Sequence, residues 1–166
     1  MSSPASATLA FFPDGESPVD AGAGATARPD RTEALTRGAA RLMIDMGLCV
    51  IPEFRLPNGR RADLAGLGPK GEVIIVEIKS CREDLAVDAK WREYRDYCDR
   101  FYFGVSEIFP VEMIPEEEGV IIADGFGGAV LREGELTKLS GPRRKAVTLR
   151  FARQAAGIAA RAAAIA

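Results

Sequence analysis

Asp63, Glu77 and Lys79 are the residues of this chain whose types and spacing could do chemistry together. Glu77 and Lys79 stand two apart in V-I-I-V-E-I-K-S, residues 73–80, an apolar run of the kind that makes a buried strand. Successive side chains of a strand point to opposite faces, so Glu77 and Lys79 share a face with Val73 and Ile75, while Ile74, Val76 and Ile78 point the other way. Asp63 lies in R-A-D-L, residues 61–64, where Arg61 and Asp63 share one face and Ala62 and Leu64 the other, so that Asp63 can lie beside Glu77. Two carboxylates with a lysine one step further on form a place where Mg²⁺ or Mn²⁺ could take oxygens from Asp63 and Glu77 plus the backbone carbonyl of Ile78. Such an ion polarises a phosphodiester and lowers the pKa of a bound water. Lys79 would position that water, help deprotonate it, or stabilise charge developing on phosphate. The competing reading of E-x-K is a solvated cross-strand pair on an exposed face, worth less than about 1 kcal/mol.

The elements that must hold these residues are readable in order. Residues 1–28 are dominated by Ala, Ser, Gly, Pro and Thr, a composition read as a disordered arm, which leaves 29–166 as a single domain. Asp30 and Glu33 have the spacing of a capping box, and Leu35, Ala39, Leu42 and Met46 predict an amphipathic helix ending near Gly47. Residues 49–55 read as a strand, Pro57-Asn58-Gly59 as a tight turn, 60–67 as the returning strand, and 68–71 as a second turn into 73–80. The result is a three-stranded antiparallel meander.

Val87, Trp91, Tyr94 and Cys98 predict one helical stripe, followed by a strand over 100–106 that a crossover would lay parallel to 73–80. A short strand over 119–124 belongs at the far side of the sheet, and 129–131 with 136–139 read as a small hairpin around Glu133-Gly134. Pro142 opens a last helix, about 142–164, with Val147, Phe151, Gln154 and Ile158 on one side and arginines on much of the other. The fold class is α/β, with a central mixed sheet of αβββαβ order flanked by helices and a basic helix at the C-terminal end.

Composition excludes whole classes of mechanism. The 166 residues include no histidine, which removes His-Cys zinc sites, Ser-His-Asp triads and His-metal nucleases. Three cysteines without C-x-x-C spacing argue against a disulfide framework or structural zinc and fit a reducing, cytoplasmic setting. The start is neither basic nor long in apolar residues, so neither a signal peptide nor a membrane span is expected. The net charge of −2 conceals an asymmetry: from Gly141 onward Arg143, Arg144, Lys145, Arg150, Arg153 and Arg161 meet no acidic residue, so this tail is +6 and the remainder −8. Such a tail could meet a polyanion, or be the solvated face of an Ala-rich helix.

The order helix, meander with R-A-D, V-E-I-K-S, helix and strand resembles the PD-(D/E)xK nuclease superfamily, with its restriction-endonuclease-like core. The run K-W-R-E-Y-R-D-Y-C-D-R-F-Y-F, residues 90–103, is similar to the MmcB-like DNA-repair proteins of alphaproteobacteria, a family linked to tolerance of mitomycin-type damage; the similarity spans roughly residues 30–130. The resemblance implies Asp63 and Glu77 as metal ligands and Lys79 as the catalytic lysine of a Mg²⁺-dependent (or Mn²⁺-dependent) deoxyribonuclease acting on damaged or branched DNA. RNA remains open as a substrate, as does a homodimer. Ala62 stands where the superfamily's proline would precede Asp63. Glu33, on the first helix, is a candidate for supporting the metal and equally for capping. Lys90 and Tyr94 could touch phosphate, or Tyr94 could pack with Trp91 and Lys90 be solvated; Arg61, Arg143, Arg144 and Lys145 are further nucleic-acid candidates. A non-catalytic module that holds DNA or a repair partner is the alternative.

Overall fold

The computed structural model describes residues 28–87 and 89–165, so the arm read over 1–28 lies almost wholly outside the described residues. The first helix, α1 (Arg28–Asp45), begins two residues ahead of the expected cap. Asp30 therefore sits in its first turn, and Glu33 pairs with Arg37 at 2.7 Å, the i,i+4 geometry of neighbouring helical turns. The buried stripe is Leu35, Ala39 and Met43, spaced four apart, while Leu42 is only partly covered and Met46 is exposed. Gly47, at φ 84°, ends the helix as expected: its N–H reaches the Ile44 carbonyl and that of Leu48 reaches Met43, the paired bonds of a Schellman cap. Leu48 is thereby folded back onto Met43 in the core.

The meander follows as expected: β1 (Cys49–Arg55), β2 (Arg61–Leu67) and β3 (Val73–Ile78) pair antiparallel in sequence. After β3 the chain departs from the expected single helix. A short α2 (Arg82–Val87) is followed by a separate 3₁₀ segment, Lys90–Tyr97. A 3₁₀ turn has three residues, so Trp91, Tyr94 and Tyr97 fall in one row; the first two are buried and the third packs against the same cluster, while Cys98, buried, begins the extended chain beyond. The side chain of Val87 lies outside the described residues.

β4 (Arg100–Val105) runs parallel to β3 and β5 (Gly119–Ala123) parallel to β4, giving the mixed sheet. The last strand, β6 (Gly128–Arg132), pairs antiparallel with β5, so the hairpin expected between 129–131 and 136–139 is instead a β5–β6 hairpin. Asp124 makes its turn, accepting the N–H groups of Phe126 and Gly127 at 2.7 and 2.8 Å. Residues 135–139 return along the sheet's end, where Thr137 and Leu139 bond to Asp99. The sheet order is β1-β2-β3-β4-β5-β6, with β1 and β6 at the edges.

Two apolar layers sandwich the sheet. Even-numbered β3 residues Ile74, Val76 and Ile78 face α1, which also rests on the β5–β6 turn: Gly38 has no room for a side chain there, since a Cβ would stand 2.1 Å from the Asp124 carbonyl oxygen. The odd-numbered residues Val73 and Ile75 face the 3₁₀ segment and α3 (Gly141–Ile165), whose Val147 and Phe151 enter the cluster; Phe151 meets Phe54 with ring centroids 5.9 Å apart. Among the described residues no helix is long and apolar enough to cross a membrane.

Candidate functional site at the end of the β2–β3 pairing

Every residue of β3 is buried, Glu77 included at 8% exposure, and Lys79 just beyond it is 5% exposed. The solvated surface pair is thus ruled out for this E-x-K. Strand alternation turns Glu77 and Lys79 toward the α3 and 3₁₀ face, and Lys79 Nζ lies 3.4 Å from Glu77 Oε1. The β3–β4 pairing still holds at this point, with the Lys79 N–H donating to the Gly104 carbonyl at 2.9 Å.

On the other side of β3 the pairing stops. The β2–β3 register runs from Leu67↔Val73 to Leu64↔Val76, and the next step would set Asp63 opposite Glu77. There the Asp63 side chain takes over from its own backbone: Oδ2 accepts the Ile78 N–H at 2.7 Å. The strand on the far side of Asp63 breaks too. Glu53 is the described non-glycine residue with positive φ, 54°, and the β1–β2 register skips the 53/63 step. Across this step Ala62 packs in the α3 layer and Leu64 in the α1 layer, instead of sharing a face as simple alternation requires. An acidic residue in the left-handed region costs roughly 1–3 kcal/mol, a cost tolerated where surrounding structure fixes it.

Charges meet here. Burial raises the pKa of the Asp63 carboxyl above its ordinary value; the Ile78 N–H and the Lys79 ammonium act against that, Glu53 reinforces it, and Arg61 opposes it. Arg61 itself holds Glu53 at 2.7 Å. Asp63, Glu77 and Lys79 are therefore one electrostatic group at the ends of two adjacent strands, as the sequence suggests. Beyond it, the Ser80 hydroxyl donates to Asp84 at 3.0 Å.

The remaining candidates are placed elsewhere. Glu33 is exposed on α1, on the opposite face of the sheet from Glu77, engaged with Arg37. Tyr94 is buried, its hydroxyl donating to the Arg61 carbonyl at 3.1 Å, so it braces the strand that carries Asp63. Lys90 is exposed at the first residue of the 3₁₀ segment. Arg143 reaches Asp96 at 3.3 Å and lies over the Tyr97 ring, and Lys145 is exposed. Arg144 forms two bonds with Asp99, at 2.8 and 2.6 Å, and Asp99 in turn accepts the Val73 N–H at 2.8 Å. This cluster holds the opposite end of β3, about 17 Å from Ile78 at the rise of an extended strand. The first turns of α3 are thus an anchor, and its later arginines, Arg150 among them with a bond to the Leu56 carbonyl, come to the β1 side.

The donor set suits a hard divalent cation: carboxylate oxygens of Asp63 and Glu77 on adjacent strands, with the Ile78 carbonyl directly after Glu77 in sequence. Among the described residues no group of three or more His, Cys, Asp or Glu side chains gathers as a metal cage, so the protein would supply two carboxylates and leave the rest to water and substrate.

Comparison with known proteins places the chain. None of the curated proteins matches it. A solved structure of a protein of unknown function from Silicibacter pomeroyi is 40% identical, superposes with a TM-score of 0.73, and covers 76% of this chain and 86% of its own. The family described as DNA repair protein MmcB-like matches residues 20–165, nearly the whole chain, and the chain belongs to that family.

Proposed function

We propose that this protein hydrolyses phosphodiester bonds of DNA during repair, through a metal-dependent site of the PD-(D/E)xK type in a restriction-endonuclease-like fold. The observation that carries the reading is the gathering of Asp63, Glu77 and Lys79 where the β2–β3 pairing ends, in a chain of a DNA repair family. Asp63 and Glu77 would hold Mg²⁺ or Mn²⁺, which when bound polarises the phosphate and acidifies water. The protein's own part is positional. The Ile78 N–H fixes the Asp63 carboxylate through Oδ2, and β3–β4 pairing fixes the backbone of Lys79. Burial strengthens the field of the Lys79 ammonium on any phosphate brought beside it.

Incubation of the purified protein with flapped, forked, crosslinked and single-stranded DNA, with matched RNA, and with Mg²⁺ or Mn²⁺ tests the reading. Metal-dependent DNA cleavage lost in Asp63→Asn is the expected result, and cleavage that persists in that variant overturns it. Calorimetric titration of Mn²⁺ gives an independent readout, with binding expected in the native chain and weakened in the variant.

A second reading, a non-catalytic DNA-holding module, is favoured by one contact: the Lys79 ammonium already neutralises Glu77 from within the protein. DNA binding with steep salt dependence but without Mn²⁺ binding would select it.

A further inference from the structure

We propose that the groove between α3 and the β1 edge is the seat of a single-stranded segment of DNA, whose phosphodiester backbone it leads to Asp63. The inference rests on the DNA reading above and names the form of DNA and the surface that receives it. The groove has a volume of about 960 Å³ and is lined by five arginines, Arg55, Arg61, Arg150, Arg153 and Arg161, against one acid, Glu53. No other acid lines it, so its wall carries a net charge of +4 in a protein whose total is −2. That local excess fits a polyanion.

Its apolar lining distinguishes a single strand from a duplex. Leu149 and Ile158, 59% and 38% exposed, line the groove from the same helix as Arg150, Arg153 and Arg161. A duplex buries its base faces in stacking and offers such side chains nothing but charged backbone, whereas an unstacked strand can lay bases on apolar atoms and guanidinium planes while its phosphates meet the charges. The groove also points at the site. Arg61 and Glu53 belong to its wall, and Arg61 stands two residues before Asp63 on β2. Gln154 fixes the wall by bonding to both backbone groups of Arg55, at 3.0 and 2.8 Å, so the groove is built before any ligand arrives.

The test is fluorescence anisotropy of a labelled single-stranded oligodeoxynucleotide with the full chain in EDTA, where no cleavage occurs. The double variant Arg153→Ala/Arg161→Ala is expected to weaken binding roughly tenfold and to flatten the slope of log affinity against log salt by about 1.4, two phosphate contacts on a single strand. Lys70→Ala/Lys138→Ala removes the same charge from exposed positions outside the groove and is expected to leave both unchanged. Circular dichroism confirms that the variants fold. Equal effects of the two pairs, tighter binding to a duplex or to single-stranded RNA of the same sequence, or preference for vesicles of acidic lipid would each overturn the proposal. The two readings fail separately. Absence of cleavage by a protein that binds the strand through Arg153 and Arg161 refutes the hydrolase and leaves the groove; cleavage with binding indifferent to these arginines refutes the groove and leaves the hydrolase.

Discussion

Asp63 accepts the backbone N–H of Ile78 at 2.7 Å, so a side chain of β2 completes the hydrogen bonding of β3 at the step where the two backbones part. The same carboxylate is thus a structural acceptor through Oδ2 and, under the proposed function, a metal ligand as well. The two roles can be separated. Asp63→Asn keeps an oxygen for the Ile78 N–H and is expected to stay within about 1 kcal/mol of the native stability, while Asp63→Ala strands the N–H and is expected to cost about 1–3 kcal/mol. Urea denaturation of both variants checks this. Equal stabilities would show that the bond to Ile78 carries no weight.

The Glu77–Lys79 pair is buried, and a buried pair is costly to break from one side. Lys79→Met is expected to destabilise by about 3–5 kcal/mol, while Glu77→Leu combined with Lys79→Met is expected to recover most of that loss, because the desolvation cost leaves with both charges. A double-mutant cycle by thermal or urea unfolding measures the coupling. A double variant as unstable as the single one would refute the pairing as the cause.

The Asp99 clamp makes a pH prediction. Burial alone would raise the Asp99 carboxyl, but the Arg144 guanidinium and the N–H groups of Val73 and Leu139 outweigh it and hold the group below its ordinary value of 3.8. An acid depressed on folding adds stability that is complete above its unfolded pKa and is lost as pH falls through the folded one. Acid unfolding should therefore steepen below about pH 4, and Asp99→Asn should reduce that steepening while lowering stability at neutral pH. Urea midpoints measured across the acid range test the sign.

Gly38 lies where α1 touches the β5–β6 turn, with two carbonyl oxygens, of Asp124 and Gly127, within 2.4 Å of where a Cβ would stand. Backbone on the other side cannot swing away like a side-chain tip. Gly38→Ala is expected to destabilise by about 1–3 kcal/mol or more through overpacking, despite the better helix propensity of alanine. A stabilised variant, read by thermal unfolding, would contradict the contact.

The meander and the Asp63, Glu77, Lys79 group were legible because every signal is local: a glycine turn, an alternating strand, charges breaking an apolar run. What was not legible depends on distant partners. Arg144 looked available to a polyanion because Asp99, the group it clamps, lies 45 residues away in sequence. The β5–β6 hairpin was hidden because its turn is written by the Asp124 carboxylate and not by the glycine dipeptide at 133–134. The division into α2 and a 3₁₀ segment was likewise obscured, since Trp91 and Tyr94 are three apart and suit either helix. The positive φ at Glu53 has no sequence signal of the usual kind, as no glycine or asparagine stands there.

Gln154 bonds to the N–H and carbonyl of Arg55 as a neighbouring strand would, and in doing so closes part of an edge that could otherwise template another chain. The closure is late in biosynthesis, because α3 leaves the ribosome after every strand it covers. Until then the β1 edge and the Phe54 side of the sheet are open, and the nascent chain carries its own aggregation hazard. Finishing the last helix is therefore an act of protection as well as of assembly.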